Sequence, residues 1–484
     1  MGNDSLAKKG ILGMGWMMGS TIISYVIQLI ITAVLARYLT PTVHGEIAAI
    51  NVLIGFAEIF WMVGIGPAIV QKQTLTKDDI YTGNTLNIFL GLGIYSIIFL
   101  FANPLCKLFN ISNSLILRVF SIIFLLNSFS GISKSLLQKK CNYKVISIIK
   151  VLGIVVYGCV SVVLVFCKFE VWSLVIATLV QNLFMTIAYY AISPVKPYIM
   201  IKKESLHSLL YFGGGFTLAR IFNYIANNGD TYCVNKTMGK ADVGFYSKAY
   251  QLLMYPTSLI GDSLDQVCFP LLAKKQDNKK WLYNVFEFST MIVFIFALPI
   301  SIFCFVCAED IIHFIYGNNW DMTIIPFKIF IMGLFFRIGY KISDSLVRAL
   351  GKVYKRSLYQ IIYAFFVIFG SLAGKKFGIA GVATGVTVAF TINYFLMTNL
   401  SLKLLEKNWM DIIGSFGFPL LCGGITMISV IIIKNKIMYN IHGMLSMLVL
   451  GIIIVIVYTV PFYIFKRKLI YMSIDYVKNT LIKK

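Results

Sequence analysis

Stretches of about twenty apolar residues recur along this whole chain, and this feature restricts its possible folds the most. A helix that crosses the roughly 30 Å hydrocarbon core of a membrane needs about 20 such residues. The chain has 484 residues, of which 58% are hydrophobic and 13% are charged. Soluble domains are roughly 45–50% apolar and about 25% charged, so this composition predicts an all-α integral membrane protein.

The apolar stretches predict about fourteen transmembrane helices, with little chain left for a soluble domain. The predicted spans are 11–36, 45–66, 83–104, 116–137, 146–167, 171–193, 208–229, 243–268, 284–307, 323–349, 356–375, 378–402, 411–433 and 441–465. An even number of spans places both termini on the same side of the membrane. We therefore expect a multi-pass protein of the inner (cytoplasmic) membrane.

The basic residues alternate between the two sides of this predicted topology. With the N-terminus inside, 28 of the 43 lysines and arginines fall on the cytoplasmic side, 10 on the outer side and the rest within spans. Cytoplasmic loops carry an excess of Lys and Arg, so the count predicts that both termini are cytoplasmic (N-in, C-in). The same pattern accounts for the net charge of +23 and argues against a nucleic-acid partner.

Two short echoes in the sequence indicate an internal repeat. At an offset of 199 residues, RYLTPTVHGE from Arg37 resembles the segment 236–245, and Gly45 corresponds to Gly244. At an offset of 208 residues, KFEVWSLVIA from Lys168 resembles KFGIAGVATG from Lys376. Repeated halves are typical of transporters that alternate between two open states. Chance similarity between turn sequences is the alternative.

The repeat predicts how the helices are grouped along the chain. Two six-helix lobes are followed by two additional helices and a basic cytoplasmic tail, with boundaries at 1–200, 201–407, 408–466 and 467–484. The two lobes are expected to have the same orientation in the membrane, because each contains an even number of spans.

Motifs for catalysis, nucleotide hydrolysis and metal binding are missing from the sequence. No G-x-x-x-x-G-K-[ST] phosphate loop occurs, and the C-x-x-C of Cys304 and Cys307 has no second pair of metal ligands. The outer loops are also too short for the catalytic domain of a membrane-embedded glycosyltransferase. The sequence therefore predicts a transporter with no catalytic residue, no metal and no organic cofactor.

Ionised side chains inside the predicted spans are the remaining candidates for function. A charge in hydrocarbon is costly, so it is expected to face water or an opposite charge. The tenth span carries Arg337, Lys341, Asp344 and Arg348 at steps of four, three and four residues, which places them on one helical face. Glu58 lies within the second span.

A water-filled cavity with a basic lining is our interpretation of four of these positions, namely Arg220, Lys248, Arg337 and Lys341. The planar guanidinium of Arg suits phosphate oxygens, so the lining predicts an anionic substrate. Glu58 and Asp344 are candidate carboxylates for a coupling H⁺ or Na⁺. Three alternatives stay open: Lys248 extends to the interface, Lys341 pairs with Asp344, or Glu58 is hydrogen-bonded within the bundle.

Four motifs resemble those of a known family. They are A-R-Y-L-T-P-x-x-x-G-E at 36–46, G-x-G-P-A-x-V-Q at 64–71, G-F-Y-S-K-A-Y-Q-L at 244–252 and P-T-S-L-I-G-D-S-L-D-Q-V-x-F-P at 256–270. Over about residues 5–430 the chain is similar to the bacterial polysaccharide-biosynthesis flippases of the multidrug/oligosaccharidyl-lipid/polysaccharide exporter superfamily. The motif residues themselves are expected to hold loop geometry.

The resemblance implies a substrate, a mechanism and partners. The substrate would be an undecaprenyl-diphosphate-linked repeat unit of O-antigen (lipopolysaccharide), capsule or exopolysaccharide, moved from the cytoplasmic to the periplasmic leaflet. The mechanism would be alternating access around a cationic cavity, to which we assign Arg220, Arg337 and Lys341. Membrane lipids, a polysaccharide polymerase and chain-length proteins are the implied partners.

Three other functions are compatible with the spans. One is a cation-coupled multidrug antiporter of the same superfamily, although the charges within the spans are mainly basic. Another is a membrane-embedded polysaccharide glycosyltransferase or ligase. The third is transport of a lipid-linked peptidoglycan precursor, which differs from the first prediction only in the sugar carried.

Overall fold

The computed structural model describes residues 3–62, 65–72, 74–195, 198–274, 276–436 and 443–465. Within these ranges, side chains are described except at 3–14, 62, 71, 207–220, 266–267, 270, 274, 353, 414–415, 436 and 462–465. Every regular element in the described ranges is helical, which confirms the all-α prediction.

Helices form because a backbone in hydrocarbon must bond its own N–H and C=O groups. The α-helices are α1 (Asn3–Tyr38), α2 (Pro41–Met62), α3 (Ile65–Gln71), α4 (Lys77–Leu100), α5 (Ala102–Phe109), α6 (Ser114–Phe120), α7 (Ile122–Lys139), α8 (Tyr143–Phe166), α9 (Val171–Ile192), α10 (Lys203–Thr237), α11 (Lys240–Pro256), α12 (Ser263–Lys274), α13 (Lys279–Val306), α14 (Ala308–Tyr316), α15 (Ile324–Met332), α16 (Leu334–Ala349), α17 (Val353–Gly374), α18 (Gly378–Leu404), α19 (Trp409–Lys436) and α20 (Met444–Phe465). A π-helical turn, Thr257–Asp262, joins α11 to α12.

The helices agree with a multi-pass membrane protein. Ten helical stretches of the described residues are long and apolar enough to cross a membrane, and the bent pair ending in α15 and α16 makes an eleventh. Each of the fourteen predicted spans overlaps a helix or two consecutive helices. The α11–α12 segment is too polar to be counted by composition. Fourteen crossings with both termini inside therefore stay a prediction.

One of the ten stretches is a helical hairpin. It runs over residues 354–404, which would extend about 75 Å as a single helix, well over twice the hydrocarbon thickness. The glycines at 370 and 374 on α17 pack against those at 385 and 381 on α18, so closely that a Cβ on Gly374 would lie 2.2 Å from the Gly381 carbonyl oxygen. Small residues four apart allow two helix backbones to touch. The stretch thus folds back on itself at the turn Lys375–Phe377.

The chain divides into two compact units. One contains Met1–Gln251 and Ser357–Ala389, and the other contains Leu252–Arg356 and Phe390–Lys484. This division groups helices by spatial contact, whereas the predicted lobes at 1–200 and 201–407 group them by sequence repeat. The lobe boundaries therefore stay a prediction.

Each unit has its own apolar core. In the first unit, Ile50 of α2, Leu117 of α6 and Val175 of α9 are fully buried. In the second unit, the apolar side of α16 is fully buried at Leu334, Ile338, Ile342 and Leu346. These positions are four residues apart, so they form one face of the helix and leave the charged positions on another.

The first echo of the predicted repeat corresponds to a reciprocal contact within the first unit. A Cβ on Gly45 would lie 1.7 Å from the carbonyl oxygen of Lys240, and a Cβ on Gly244 would lie 2.0 Å from the carbonyl oxygen of Pro41. Each glycine therefore meets the residue four positions before its repeat partner. The starts of α2 and α11 touch backbone to backbone in a self-complementary way.

The local geometry repeats at two further places. Glu170 and Gly378, which correspond in the second echo, both lie at the start of a helix with a positive φ: Glu170 (44°) immediately precedes α9, and Gly378 (68°) is the first residue of α18. Short helices α5 and α14 each follow a long apolar helix after a residue of nearly identical conformation, Phe101 (φ −94°, ψ 18°) and Cys307 (φ −94°, ψ 15°). The sequence analysis did not identify the α5–α14 correspondence, because the two segments share little sequence.

The contact between Gly45 and Gly244 predicts a specific sensitivity to side-chain size. We expect Gly45→Ala and Gly244→Ala to lower the free energy of unfolding by roughly 1–3 kcal/mol or more, because the opposing atoms are backbone and cannot move aside. Thermal unfolding of the purified protein in detergent measures this loss. Gly93→Ala on α4 is the control, because a Cβ there meets nothing within 4 Å. Equal melting temperatures for all three variants would contradict the reported contact.

Candidate functional site

The predicted charged face of the tenth span lies on α16, within the second unit. Its residues differ in what neutralises them. Lys341 forms an ion pair, Arg337 packs against aromatic rings, and Asp344 and Arg348 belong to a larger ionic network. The helical periodicity therefore identified the face, and the contacts with other elements decide the role of each side chain.

Lys341 pairs with Asp262 at the π-helical turn. The Lys341 Nζ lies 2.5 Å from the Asp262 Oδ1, and the two side chains are 15% and 45% exposed, respectively. Gly261 makes room for the lysine, since a Cβ at this glycine would lie 2.7 Å from the Lys341 Cδ. The expected alternative of a Lys341–Asp344 pair is thus replaced by a partner 79 residues away in the sequence. Local π-helical geometry is frequent at functional sites.

Arg337 lies one turn before Lys341 on α16, and its side chain is buried. Its side chain is only 3% exposed. The guanidinium carbon lies 4.6 Å from the ring centroid of Phe390 and 5.6 Å from that of Tyr340. Cations stack favourably on aromatic faces, most strongly away from water, so these rings stabilise the guanidinium. Arg337 does not face open water in this arrangement.

Asp344 is held by two arginines. It accepts a hydrogen bond from Arg348 Nε at 2.9 Å and another from Arg356 Nε. Arg348 also contacts Asp265, which accepts from Ser345. Two guanidinium groups thus occupy both oxygens of this carboxylate, and this geometry favours a structural role for Asp344.

The other predicted cations belong to the first unit. The Arg220 side chain lies outside the described residues, although the backbone of α10 continues through that position. Lys248 on α11 is 8% exposed, and its Nζ lies 3.3 Å from the Gln251 Oε1. Gln251 in turn donates to Thr32 on α1 at 3.4 Å. Lys248 is therefore buried among neighbouring helices instead of reaching the interface.

Glu58 lies on α2 in a partly exposed position. It is close enough to Lys134 on α7 for the two charges to attract each other. Six residues earlier on α2, the Val52 carbonyl oxygen accepts a hydrogen bond from the Tyr224 hydroxyl of α10 at 2.8 Å, so α10 packs tightly against this part of α2.

Asp230 is among the buried carboxylates that the sequence analysis missed. Asp230 is 2% exposed and accepts a hydrogen bond from the Tyr246 hydroxyl at 2.6 Å. The predicted seventh span ended at residue 229, so Asp230 appeared to belong to a loop. The helix α10 continues to Thr237, and this places the carboxylate inside the packed unit.

The first family-like motif fixes local loop geometry at its G-E pair. The Glu46 carboxylate accepts hydrogen bonds from the Ser112 backbone N–H at 2.8 Å and from the Ser112 hydroxyl at 3.0 Å. Lys240 lies 3.6 Å from the same carboxylate. The G-E pair of the first motif thus combines a tight helix contact at Gly45 with an anchor for the loop before α6.

Comparison with known proteins places the chain in a family. A model of the family described as polysaccharide biosynthesis protein matches residues 34–325. The lipopolysaccharide biosynthesis protein WzxC of Escherichia coli (strain K12) is 24% identical over 408 residues, covering 83% of this chain and 82% of that protein.

Solved structures show that the fold is shared with transporters. A lipid II flippase, MurJ, in an inward closed conformation matches with a TM-score of 0.79 and 16% identity, over 93% of this chain and 98% of that chain. An inward-facing multidrug resistance transporter of the MATE family matches with a TM-score of 0.64 and 13% identity, over 79% and 94%. The sequence match and the helical fold agree, and the chain belongs to the polysaccharide biosynthesis protein family.

Proposed function

We propose that this protein is a flippase that moves lipid-linked oligosaccharides across the cytoplasmic membrane. In this proposal an undecaprenyl-diphosphate-linked repeat unit passes from the cytoplasmic to the outer leaflet by alternating access. Family membership and relatives named for polysaccharide transport support the class of substrate. The fold shared with a lipid II flippase supports the class of mechanism.

The observation that carries the site assignment is the Lys341–Asp262 ion pair. A lysine within an apolar span needs a neutralising partner, and here the partner is a carboxylate that is still 45% exposed. A diphosphate offers the same negative charge with more acceptor oxygens. The substrate can therefore replace Asp262 at Lys341 without ever leaving the lysine unpaired.

Exchange of one anion for another suits a transporter. The free energy gained on binding is limited because an existing ion pair must be broken, so the substrate is not held too tightly to be released. Asp262 would return to Lys341 after release and would close the cycle. Arg337, one helical turn away, would orient the second phosphate or the lysine itself.

The rival functions fit this site less well. A multidrug antiporter of the same fold would carry organic cations, for which a lysine paired to a single carboxylate offers little attraction. A glycosyltransferase or ligase would need a carboxylate or histidine placed to activate a hydroxyl group. Asp344 and Asp265, the acids nearest to Lys341 on α16 and α12, are both engaged by arginine.

The first prediction concerns export of polysaccharide. In a strain lacking the gene, complemented with variants, we expect Lys341→Gln to reduce surface polysaccharide by roughly tenfold or more, since charged hydrogen bonds contribute about 1.5–3 kcal/mol. Lys341→Arg keeps the positive charge and is expected to retain most export. Arg337→Ala is expected to abolish export, and Arg337→Lys is compared with it as the variant that keeps a long basic side chain. Surface polysaccharide and protein in the membrane are both quantified.

Two controls make this test specific. Lys328→Gln removes a lysine from α15 that contacts the Phe305 ring at 5.9 Å, and export is expected to be unchanged. Asp262→Asn removes the competing anion, so binding of a short polyprenyl diphosphate to the purified protein is expected to become severalfold stronger. Full export by Lys341→Gln would overturn the site assignment, and weaker binding by Asp262→Asn would overturn the exchange mechanism.

Coupling to an ion gradient is proposed to involve Glu58. Its surroundings, with Lys134 nearby and partial exposure, allow a carboxylate to exchange H⁺ or Na⁺. We expect Glu58→Gln to abolish the response of export to a collapsed proton or sodium gradient, while Asp321→Asn in an exposed outer segment leaves the response intact. A Glu58→Gln protein that still responds fully would show that the carboxylate is structural.

The predicted topology places both termini in the cytoplasm. Two free cysteines test this topology, Cys141 after α7 and Cys167 after α8. In single-cysteine variants, a membrane-impermeant maleimide is expected to label Cys167 in intact cells and Cys141 only after permeabilisation. The opposite pattern would invert the predicted topology.

A further inference from the structure

A groove runs between α1 and α8, within the first unit. Its volume is about 520 Å³, within the roughly 300–1,000 Å³ of ligand pockets. Gly15, Gly19, Ser20 and Ser147 line its floor. The floor is closed by a hydrogen bond of 3.1 Å from the Ser20 hydroxyl to the Ser147 hydroxyl, so neither group needs a partner from a ligand.

The walls of the groove are large apolar side chains that remain exposed. Ile148 and Leu152 of α8 are 41% and 47% exposed. They lie four residues apart, so they stand above each other on one face of the helix. An elongated apolar chain fits between them and α1, because the floor glycines carry no side chain; a Cβ on Gly15 or Gly19 would meet nothing within 4 Å.

Lys144 places a positive charge at one end of the groove, beside Trp16. Lys144 precedes Ile148 by one turn on the same face of α8, and its Nζ lies 5.2 Å from the ring centroid of Trp16. Lysine and tryptophan are both typical of the membrane interface, where the polar headgroups begin. Five lysines occur between residues 134 and 150, on the side predicted to be cytoplasmic.

We propose that the groove is a binding site for an anionic phospholipid of the membrane. One acyl chain lies along the floor between Ile148 and α1, and the phosphate contacts Lys144 beside Trp16. Charge complementarity selects the lipid, because basic positions between helices near the cytoplasmic surface attract anionic headgroups. A zwitterionic lipid offers the same chain without the net charge, and its binding is expected to be weaker.

The experiment uses the purified full-length protein in detergent with added phosphatidylglycerol, phosphatidylcholine or undecaprenyl phosphate. Bound lipid is counted by native mass spectrometry, and melting temperature is recorded alongside. We expect phosphatidylglycerol to bind several times more strongly than phosphatidylcholine. Lys144→Gln is expected to weaken phosphatidylglycerol binding about fivefold, the share of one lysine near an anionic surface. Gly19→Leu is expected to abolish binding by filling the groove.

Matched controls separate the groove from general effects. Gly93→Leu places the same side chain at another open glycine, on α4, and Lys376→Gln removes an exposed lysine from the α17–α18 turn. Both are expected to bind phosphatidylglycerol like the unmodified protein. Unchanged binding in Lys144→Gln and Gly19→Leu would overturn the proposal, and so would a groove that takes undecaprenyl phosphate but not phosphatidylglycerol.

Discussion

The cost of placing a polar or charged group in hydrocarbon is the constraint on which this structure depends. The backbone meets it by forming helices throughout the described ranges. Side chains meet it by pairing: Lys341 with Asp262, Asp344 with Arg348 and Arg356, and Arg337 with the Phe390 ring. These charges are therefore compensated locally, and any movement that separates them from their partners must supply new ones.

This compensation changes how a basic cavity is understood. A lysine waiting in water for its substrate would gain the full energy of an ion pair on binding, and release would be slow. In the proposed mechanism, a lysine already paired to Asp262 would exchange one anion for another. The difference between the two bound states is then small, and a small difference is what repeated binding and release require. The half-exposed position of Asp262 makes such an exchange geometrically possible.

The predicted internal repeat would explain why certain glycines occur where they do. When two copies of one segment meet, each contact is made twice, as in the self-complementary interface of a symmetric dimer. Gly45 and Gly244 meet Lys240 and Pro41 in this way. Any larger residue would therefore be excluded at both positions for the same reason. At the second echo, Glu170 and Gly378 both have a positive φ, so the backbone conformation is similar at these two positions although the residues differ.

The sequence by itself determined the all-helical, multi-pass character of the chain, the family and the charged face of α16. These features depend on apolar length, local motifs and helical periodicity, all of which can be read along the chain. It placed the end of the seventh span at residue 229, before α10 ends at Thr237, because the last turns of that helix are polar. A helix end predicted from apolar length is placed too early where the last polar residues of the helix are stabilised by packing instead of by water.

The tertiary structure alone decided which charges are neutralised and by what. Lys341 pairs with Asp262, which is 79 residues away in the sequence. Arg337 stacks on the Phe390 ring, and Asp230 accepts a hydrogen bond from Tyr246. Periodicity shows which residues share a face of one helix, but it carries no information about the helix that packs opposite. The close packing of helix surfaces determines which neighbour that is. As a result, the charged face of α16 contains one ion pair (Lys341), one stacked guanidinium (Arg337) and one ionic network (Asp344 and Arg348).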